Sequence, residues 1–557
     1  MAGNHQAGNG SPLGLIAISA LFFAVAHYWP RLMGGGDAAL DLYTGLFRFF
    51  GWLCVISAVV RLFAARFQAL RRAMSAKPSG TFGTASFATL EDCAEREMLD
   101  PAGLYLGMLD GQPLFYKGKA HLLTCAPARQ GKGIGFIIPN LLHYFGSVIV
   151  TDPKGELAAV TAQHRRERFG QDVFVFNPWG LHGLPQHRIN PLSMLVATAE
   201  NPARQRGLAD EVRSVVMQLL PEPEDARNRF FRDGSRAILF FVLFYLASAQ
   251  PERCTLPELC RIVSSPKRLS RVIDAAALME VMGGYLADLA DDLAQQMEEN
   301  AEQFADFRAG AVQTLTIYEP SGYMAGAVSA SDVSLADLKA GNVTVYLVFP
   351  SERVASHGAV LGLIVQQAIT AVSRAPERGE VLFLLDEFAN MGKLSGLAES
   401  LTALPALGVR VWMVVQELAE IVRLYGAHTA QTVRSQSEVQ QYFAVNTDER
   451  AQALSRELGQ KTVKTQNFNL GRSETDDIGE NLSESGQPLM RAEDIRAMRQ
   501  DQQLLLVKAM KPILANRAPF WLISPWGEWA APNPVEGHYP QTDQPLFTLS
   551  YASASGK

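Results

Sequence analysis

The sequence predicts an α/β protein with a largely parallel sheet, interrupted by an all-helical insertion and preceded by two transmembrane helices. Three observations carry that expectation. Short, near-continuous apolar runs recur from "HLLTC" (121–125) to "QLLLVKA" (503–509), as a sheet covered on both faces requires. Residues 196–325 show helical apolar spacing and almost no strand signal. Near the N-terminus, two apolar segments approach the length that crosses a bilayer.

At 557 residues the chain exceeds one hydrophobic core and implies two or three domains. A formal charge of −6 excludes a protein that coats nucleic acid non-specifically and leaves only a local basic lining for such contact. Cys54, Cys93, Cys125, Cys254 and Cys260 form no Cys-x-x-Cys pair and have no nearby His at metal-ligand spacing. Free thiols in a reducing compartment are expected, with neither a disulfide nor a structural metal.

Residues 1–80 read as a membrane anchor. "LGLIAISALFFAVAHYW" (13–29) and "FFGWLCVISAVVRLFAA" (49–65) are the two spans, with Trp29 and Trp52 suited to the membrane interface and Arg61 placed to snorkel. "AVA" at 24–26 is similar to a signal-peptidase site, but the first ten residues hold no Lys or Arg, so an uncleaved span is expected. Arg61, Arg66, Arg71, Arg72 and Lys77 follow the second span, whereas residues 30–45 offer Arg31 alone, which puts everything after about residue 65 in the cytoplasm.

Residues 81–195 begin the core with strands at 121–125, 147–152 and 172–177. The all-α domain spans 196–325; its run "AILFFVLFYLAS" (237–248) is too short for a third span and reads as a core helix. Within it Asp288, Asp291, Asp292, Glu298, Glu299, Glu302 and Asp306 mark either a solvated helix face or a partner surface. The core resumes over 326–530 with strands at 343–349, 380–387, 409–416 and 503–509. The polar stretch 464–487 reads as a mobile loop or exposed hairpin, and 531–557 as a C-terminal tail.

The chemistry lies at the ends of these strands. After "HLLTC", the residues Pro127, Ala128, Arg129, Gln130, Gly131, Lys132, Gly133 and Ile134 lead into a helix. Strand, glycine-rich loop and helix N-terminus is the context in which backbone N–H groups and a Lys cradle phosphates. Lys132 would reach the β and γ phosphates of ATP. Gly133 stands where a Mg²⁺-holding hydroxyl is usual.

In "EVLFLLDEFANMGKL" a buried strand ends in Asp386-Glu387, and burying two carboxylates without a partner costs several kcal/mol, on the order of 5. Mg²⁺ supplies such a partner. Asp386 would hold it through water, and Glu387 would orient or deprotonate the water that attacks the γ-phosphate. The alternative is a salt-bridged pair at a strand end. Gln416 closes the next strand, where it can sense a γ-phosphate or cap the following helix; spacing leaves both open.

"PARQGKGIGFIIPNLL" (127–142), "TDPKGEL" (151–157), "VFNPWG" (175–180), "INPL" (189–192) and "LLDEFANMGKL" (384–394) together resemble signature segments of the type IV secretion coupling proteins, the membrane ATPases of bacterial conjugation. That family's phosphate loop commonly has Gly after the Lys. The resemblance implies a RecA-like P-loop NTPase domain with an inserted all-α domain, anchored in the bacterial inner membrane by two spans. It implies a homo-hexamer whose ATP sites are completed by a neighbour's arginine, with Arg434 and Arg450 as candidates that spacing does not separate. It further implies that the protein recruits a relaxase bound to single-stranded DNA to a type IV secretion channel. Asp152 and Lys154 match a family motif of unassigned chemistry. An effector-protein export receptor without DNA transfer is the main alternative; a scaffold with a dead ATP site and a septal DNA pump fit less of the chain.

Overall fold

The computed structural model describes residues 12–32, 34, 38–75, 79–222, 225–375, 379–394, 400–468 and 480–551. It divides into two units, residues 1–84 with 461–487, and residues 85–460 with 488–557.

In the first unit, helices α1 (Pro12–Leu32) and α2 (Ala38–Ser75) contain stretches long and apolar enough to cross a membrane, Gly14–Leu32 and Asp41–Ala64. They approach closely where Gly51 lies under the Phe23 ring, and there the Ser19 hydroxyl donates to the Gly51 carbonyl at 3.0 Å. Without that acceptor the hydroxyl would be an unpaired polar group between two apolar helices. Trp52 stands mid-way along its apolar stretch, edge-on to Phe23. The polar stretch 464–487 is the region of a hairpin, β10 (Gln460–Phe468) and β11 (Glu480–Pro488), with 469–479 outside the described residues. The segment after α2 pairs with β10: Thr84 bridges Lys461, and the Thr462 N–H donates to the Gly83 carbonyl at 3.0 Å.

The second unit is built on an 11-stranded sheet. Its strands are β1 (Leu104–Leu109), β2 (Gln112–Tyr116), β3 (His121–Cys125), β4 (Ser147–Asp152), β5 (Asp172–Phe176), β6 (Val343–Val348), β7 (Val381–Leu385), β8 (Val409–Val415), β9 (Ser437–Tyr442), β12 (Gln502–Val507) and β13 (Ile513–Asn516), in the order β2-β1-β13-β12-β9-β3-β8-β7-β4-β6-β5. From β9 to β5 every pairing is parallel, and from β12 to β2 every pairing is antiparallel. The apolar run at 503–509 is therefore an antiparallel strand, a distinction that hydrophobicity alone does not carry.

Alternate residues feed two cores, one on each face. Leu123, Cys125, Phe383, Leu385, Met413 and Val415 join one cluster, while Leu122, Leu382, Leu384, Trp412 and Val414 join the other. The insertion packs on the first. It contains helices Leu208–Leu219, Arg229–Ala249, Leu256–Ser264, Pro266–Ala276, Tyr285–Glu299 and Ala301–Leu315, and among the described residues no strand lies between β5 and β6. Arg229–Ala249 is the core helix expected at 237–248, with Ile238 to Leu239 and Phe241 to Ala247 buried. The seven acidic residues of 288–306 are all exposed, opposite buried Leu286, Ala290, Leu293, Phe304 and Phe307, on the outer face of two amphipathic helices. Beyond residue 530 the chain is fastened to the second core: the Tyr551 hydroxyl lies 2.5 Å from His143 Nδ1 and accepts from Trp526 Nε1 at 2.7 Å.

One buried cation organises the helix-to-strand junction that leads into β4. Arg165 donates to Thr344 Oγ1 at 2.7 Å and to the carbonyls of Leu141, Tyr144 and Gly146 at 2.7, 2.9 and 2.8 Å, and its burial pushes its pKa down to about 10. These bonds tie the end of helix Ile138–His143 to the start of β4. Arg165→Leu strands those acceptors, and chemical denaturation is expected to show a loss of about 3 kcal/mol.

Candidate functional site

The parallel order β3-β8-β7 puts the carboxyl ends of three strands side by side. Cys125 faces Val415 and Leu385 faces Met413 in register, so the loop after β3, Gln416 after β8 and Asp386 after β7 share one edge. The Ala126 N–H donates to the Val415 carbonyl at 2.8 Å and continues the pairing into the loop.

Residues 127–134 form that loop. Arg129 and Gly131 adopt left-handed backbone (φ 61° and 70°), and from Gly133 the chain enters a turn of π-helix running into Ile138–His143. A Cβ placed on Gly133 would meet nothing within 4 Å, so the position lacks a hydroxyl without being crowded.

Lys132 Nζ lies 2.8 Å from Asp386 Oδ1 and 3.7 Å from Glu387 Oε1. The charge partner that the sequence argument assigned to Mg²⁺ is thus, in this structure, the ammonium of the phosphate loop itself. Burial raises the pKa of Asp386 and Lys132 pulls it back, the balance remaining above the ordinary carboxylate value. The Thr151 hydroxyl of β4 donates to the Asp386 carbonyl at 2.7 Å, and the Glu387 N–H donates to Asp386 Oδ1 at 2.9 Å.

Glu387 is left-handed (φ 53°, ψ 44°), an uncommon conformation for a residue with a side chain. Asn390 Nδ2 donates to its Oε2 at 2.9 Å. The turn Phe388–Met391 sits on the helix Ser351–Arg374 at two glycines: a Cβ on Gly358 would fall 2.2 Å from the Asn390 carbonyl oxygen, and one on Gly362 would fall 2.5 Å from that of Met391. Backbone packs there where any side chain would push the acidic turn away.

Gln416 is half-buried and lines a cavity of about 370 Å³ with Pro127, Tyr442 and Arg450, while its backbone N–H donates to the Glu420 carboxylate at 3.1 Å. Its side chain is not the helix cap; Glu420 reaches back instead. Arg434 and Arg450 both engage Glu457, at 2.9 and 3.3 Å, and Arg450 lies over the Tyr442 ring. Asp152 is buried at the end of β4 and accepts from the Ala158 N–H at 2.8 Å, which caps the helix Glu156–Glu167; Lys154 is exposed. Sequence reasoning missed Asn390, Thr151 and Arg517, which donates to the Gln130 carbonyl from the end of β13. Asn390 and Thr151 lay inside quoted motifs, whereas Arg517 depends on a pairing distant in the chain.

The family described as type IV secretory system conjugative DNA transfer matches residues 77–533. Protein VirD4 of Agrobacterium fabrum is 26% identical over 417 residues, covering 72% of this chain and 58% of that protein. Conjugal transfer protein TraG of Escherichia coli is 24% identical over 404 residues, covering 68% and 61%. The chain thus spans less than two thirds of the length of these relatives. Plasmid coupling protein TrwB has the same fold: its complex with the ATP analogue ADPNP matches with a TM-score of 0.57 at 13% identity over 80% of this chain and 96% of that one. Its complex with ADP and Mg²⁺ matches with a TM-score of 0.56 at 13% identity, over 78% and 94%.

Burial pushes the Asp152 carboxyl up to about 6, with nearby Asp386 adding to the rise. A carboxyl raised above its unfolded value holds its proton longer in the folded chain, so its favourable contribution is full at acid pH and is lost as pH rises toward 6 and beyond. Between pH 5 and 7 the wild-type chain is expected to lose about 1.4 kcal/mol more stability than Asp152→Asn, measured by denaturant midpoints at the two pH values.

Proposed function

The chain belongs to the type IV secretory system conjugative DNA transfer family, and from that membership we propose that it is an inner-membrane coupling ATPase that passes a relaxase with its single-stranded DNA to a type IV secretion channel. The observation that carries the ATPase reading is the meeting of Lys132 with Asp386 and Glu387 across β8. Two motifs more than two hundred residues apart share one charged site at the sheet edge, where open α/β sheets bind ligands.

On this reading Lys132 leaves Asp386 for the β and γ phosphates of ATP, where it neutralises their charge. Asp386 is then the buried carboxylate left to hold Mg²⁺, and the open space beside Gly133 accommodates a water in place of the usual hydroxyl. Bound Mg²⁺ would supply charge neutralisation between the β and γ phosphates. Glu387, oriented by its left-handed backbone and by Asn390, accepts the proton of the attacking water. Gln416 stands between the two motifs and reports on the γ-phosphate.

The domain division carried forward is an anchor in residues 1–80, nucleotide-binding parts at 81–195 and 326–530, and the all-α domain at 196–325. Two apolar helices support membrane anchoring, with the motor on the cytoplasmic side. A hexameric ring would complete each site with Arg434 or Arg450 of a neighbour, released from Glu457.

Lys132→Ala is expected to abolish nucleotide binding by the detergent-solubilised full chain, read by calorimetry. Glu387→Gln should bind as wild type and lose at least about 100-fold in turnover. Equal binding loss in both variants, or full activity in either, would overturn these roles. Turnover stimulated by single-stranded DNA and lost in Glu387→Gln supports DNA transfer; stimulation by a secreted protein alone supports export.

A further inference from the structure

The peptide that joins Gln130 to Gly131 has one fixed end. Arg517, at the end of β13, donates through Nη1 to the Gln130 carbonyl. Its guanidinium also lies 4.2 Å from the centre of the Phe443 ring, and its own N–H donates to the Asp501 carbonyl at 2.6 Å. Among the described residues no carboxylate forms a salt bridge with it, since Asp501 is taken by Arg499, and its Nε is buried without an acceptor. A half-buried cation whose only side-chain hydrogen bond among the described residues goes to a backbone carbonyl of the loop after β3 is an expensive arrangement to keep for packing alone.

In a trans peptide the C=O and N–H point in opposite directions. With the Gln130 carbonyl turned to Arg517, the Gly131 N–H is turned away from it. Among the described residues no carbonyl accepts from that N–H. Arg129 and Gly131 are left-handed on either side of Gln130, whose φ is not positive. The orientation is not self-enforcing. A flip of this peptide changes ψ of Gln130 and φ of Gly131, and glycine tolerates either sign of φ. After a flip, a carbonyl oxygen would face the phosphates in place of a donor.

We propose that Arg517 is a positioning residue for the nucleotide site: by holding the Gln130 carbonyl it locks the Gly131 N–H toward the phosphate chain of a bound nucleoside di- or triphosphate. The inference rests on the nucleotide reading of the loop. It explains why an arginine nearly four hundred residues downstream meets the loop at its crown.

The test compares the wild-type full chain with Arg517→Met and Arg517→Lys, using Mg-ADP and Mg-ADPNP as probes in calorimetry and the thermal midpoint of the nucleotide-free protein as a second readout. Arg517→Met is expected to weaken both nucleotides about tenfold, the worth of one charge-assisted hydrogen bond, while Arg517→Lys recovers most of the loss. The nucleotide-free midpoint should stay where it is. Should the Met variant fail to fold, Arg517→Gln serves in its place. Unchanged affinity in the neutral variant, or a loss that Lys does not restore, overturns the inference while leaving the nucleotide site standing. A wild-type chain that takes up neither nucleotide overturns the site reading and the inference together.

Discussion

Parallel pairing of β3, β8 and β7 is the constraint from which the rest of the site follows. It sets the loop of Lys132 and the turn of Asp386 two strand spacings apart, about 10 Å, on the same edge of the sheet. Over that gap the lysine side chain reaches the aspartate at 2.8 Å. The pair compensates two charges that neither motif could bury by itself. It also makes the site intrinsically responsive, because any anion that recruits Lys132 leaves Asp386 in need of another cation. The glycines at 358 and 362 serve the same end from below, since they let the acidic turn rest on a helix backbone and keep Asp386 and Glu387 at the height of the loop.

The two faces of the sheet divide the labour. The helix that follows the phosphate loop packs Phe136, Ile137 and Leu141 into one core, while the inserted helices pack into the other. Each strand contributes to both by simple alternation, so any shift of a strand is felt on both sides at once. A buried polar network, Trp412 to Thr124 to Gln441 at 2.8 and 2.6 Å, then ties the parallel strands β8, β3 and β9 together. Gln441 and Gln503 share the Leu106 carbonyl, which extends the tie across β12 to β1 in the antiparallel part.

Much of this was legible in the sequence, for reasons that can be named. Strands β3 to β8 announce themselves because both faces are buried and the runs are apolar throughout. The loop and the Asp386-Glu387 pair stand out in the sequence because glycine-rich and acidic residues directly follow buried strands, and the two meet at one sheet edge. Strand β9 was not legible, because "SEVQQY" looks like surface: Gln441 is buried but satisfied by bonds to other strands. The hairpin β1–β2 and the short β13 depend on antiparallel partners far along the chain, which periodicity does not encode. Arg517 was illegible for the same reason.

The hairpin β10–β11 belongs to the unit that holds the two apolar helices, so that unit is assembled from two separate stretches of chain and the polypeptide passes between the units three times, near residues 84, 460 and 488. The same arrangement bears on partial chains. A fragment beginning after Thr84 keeps β10 but loses the segment whose Gly83 carbonyl pairs with it, and so presents a bare strand edge. Self-association of such a fragment would then report on a missing strand rather than on the ring in which the intact chain is proposed to work.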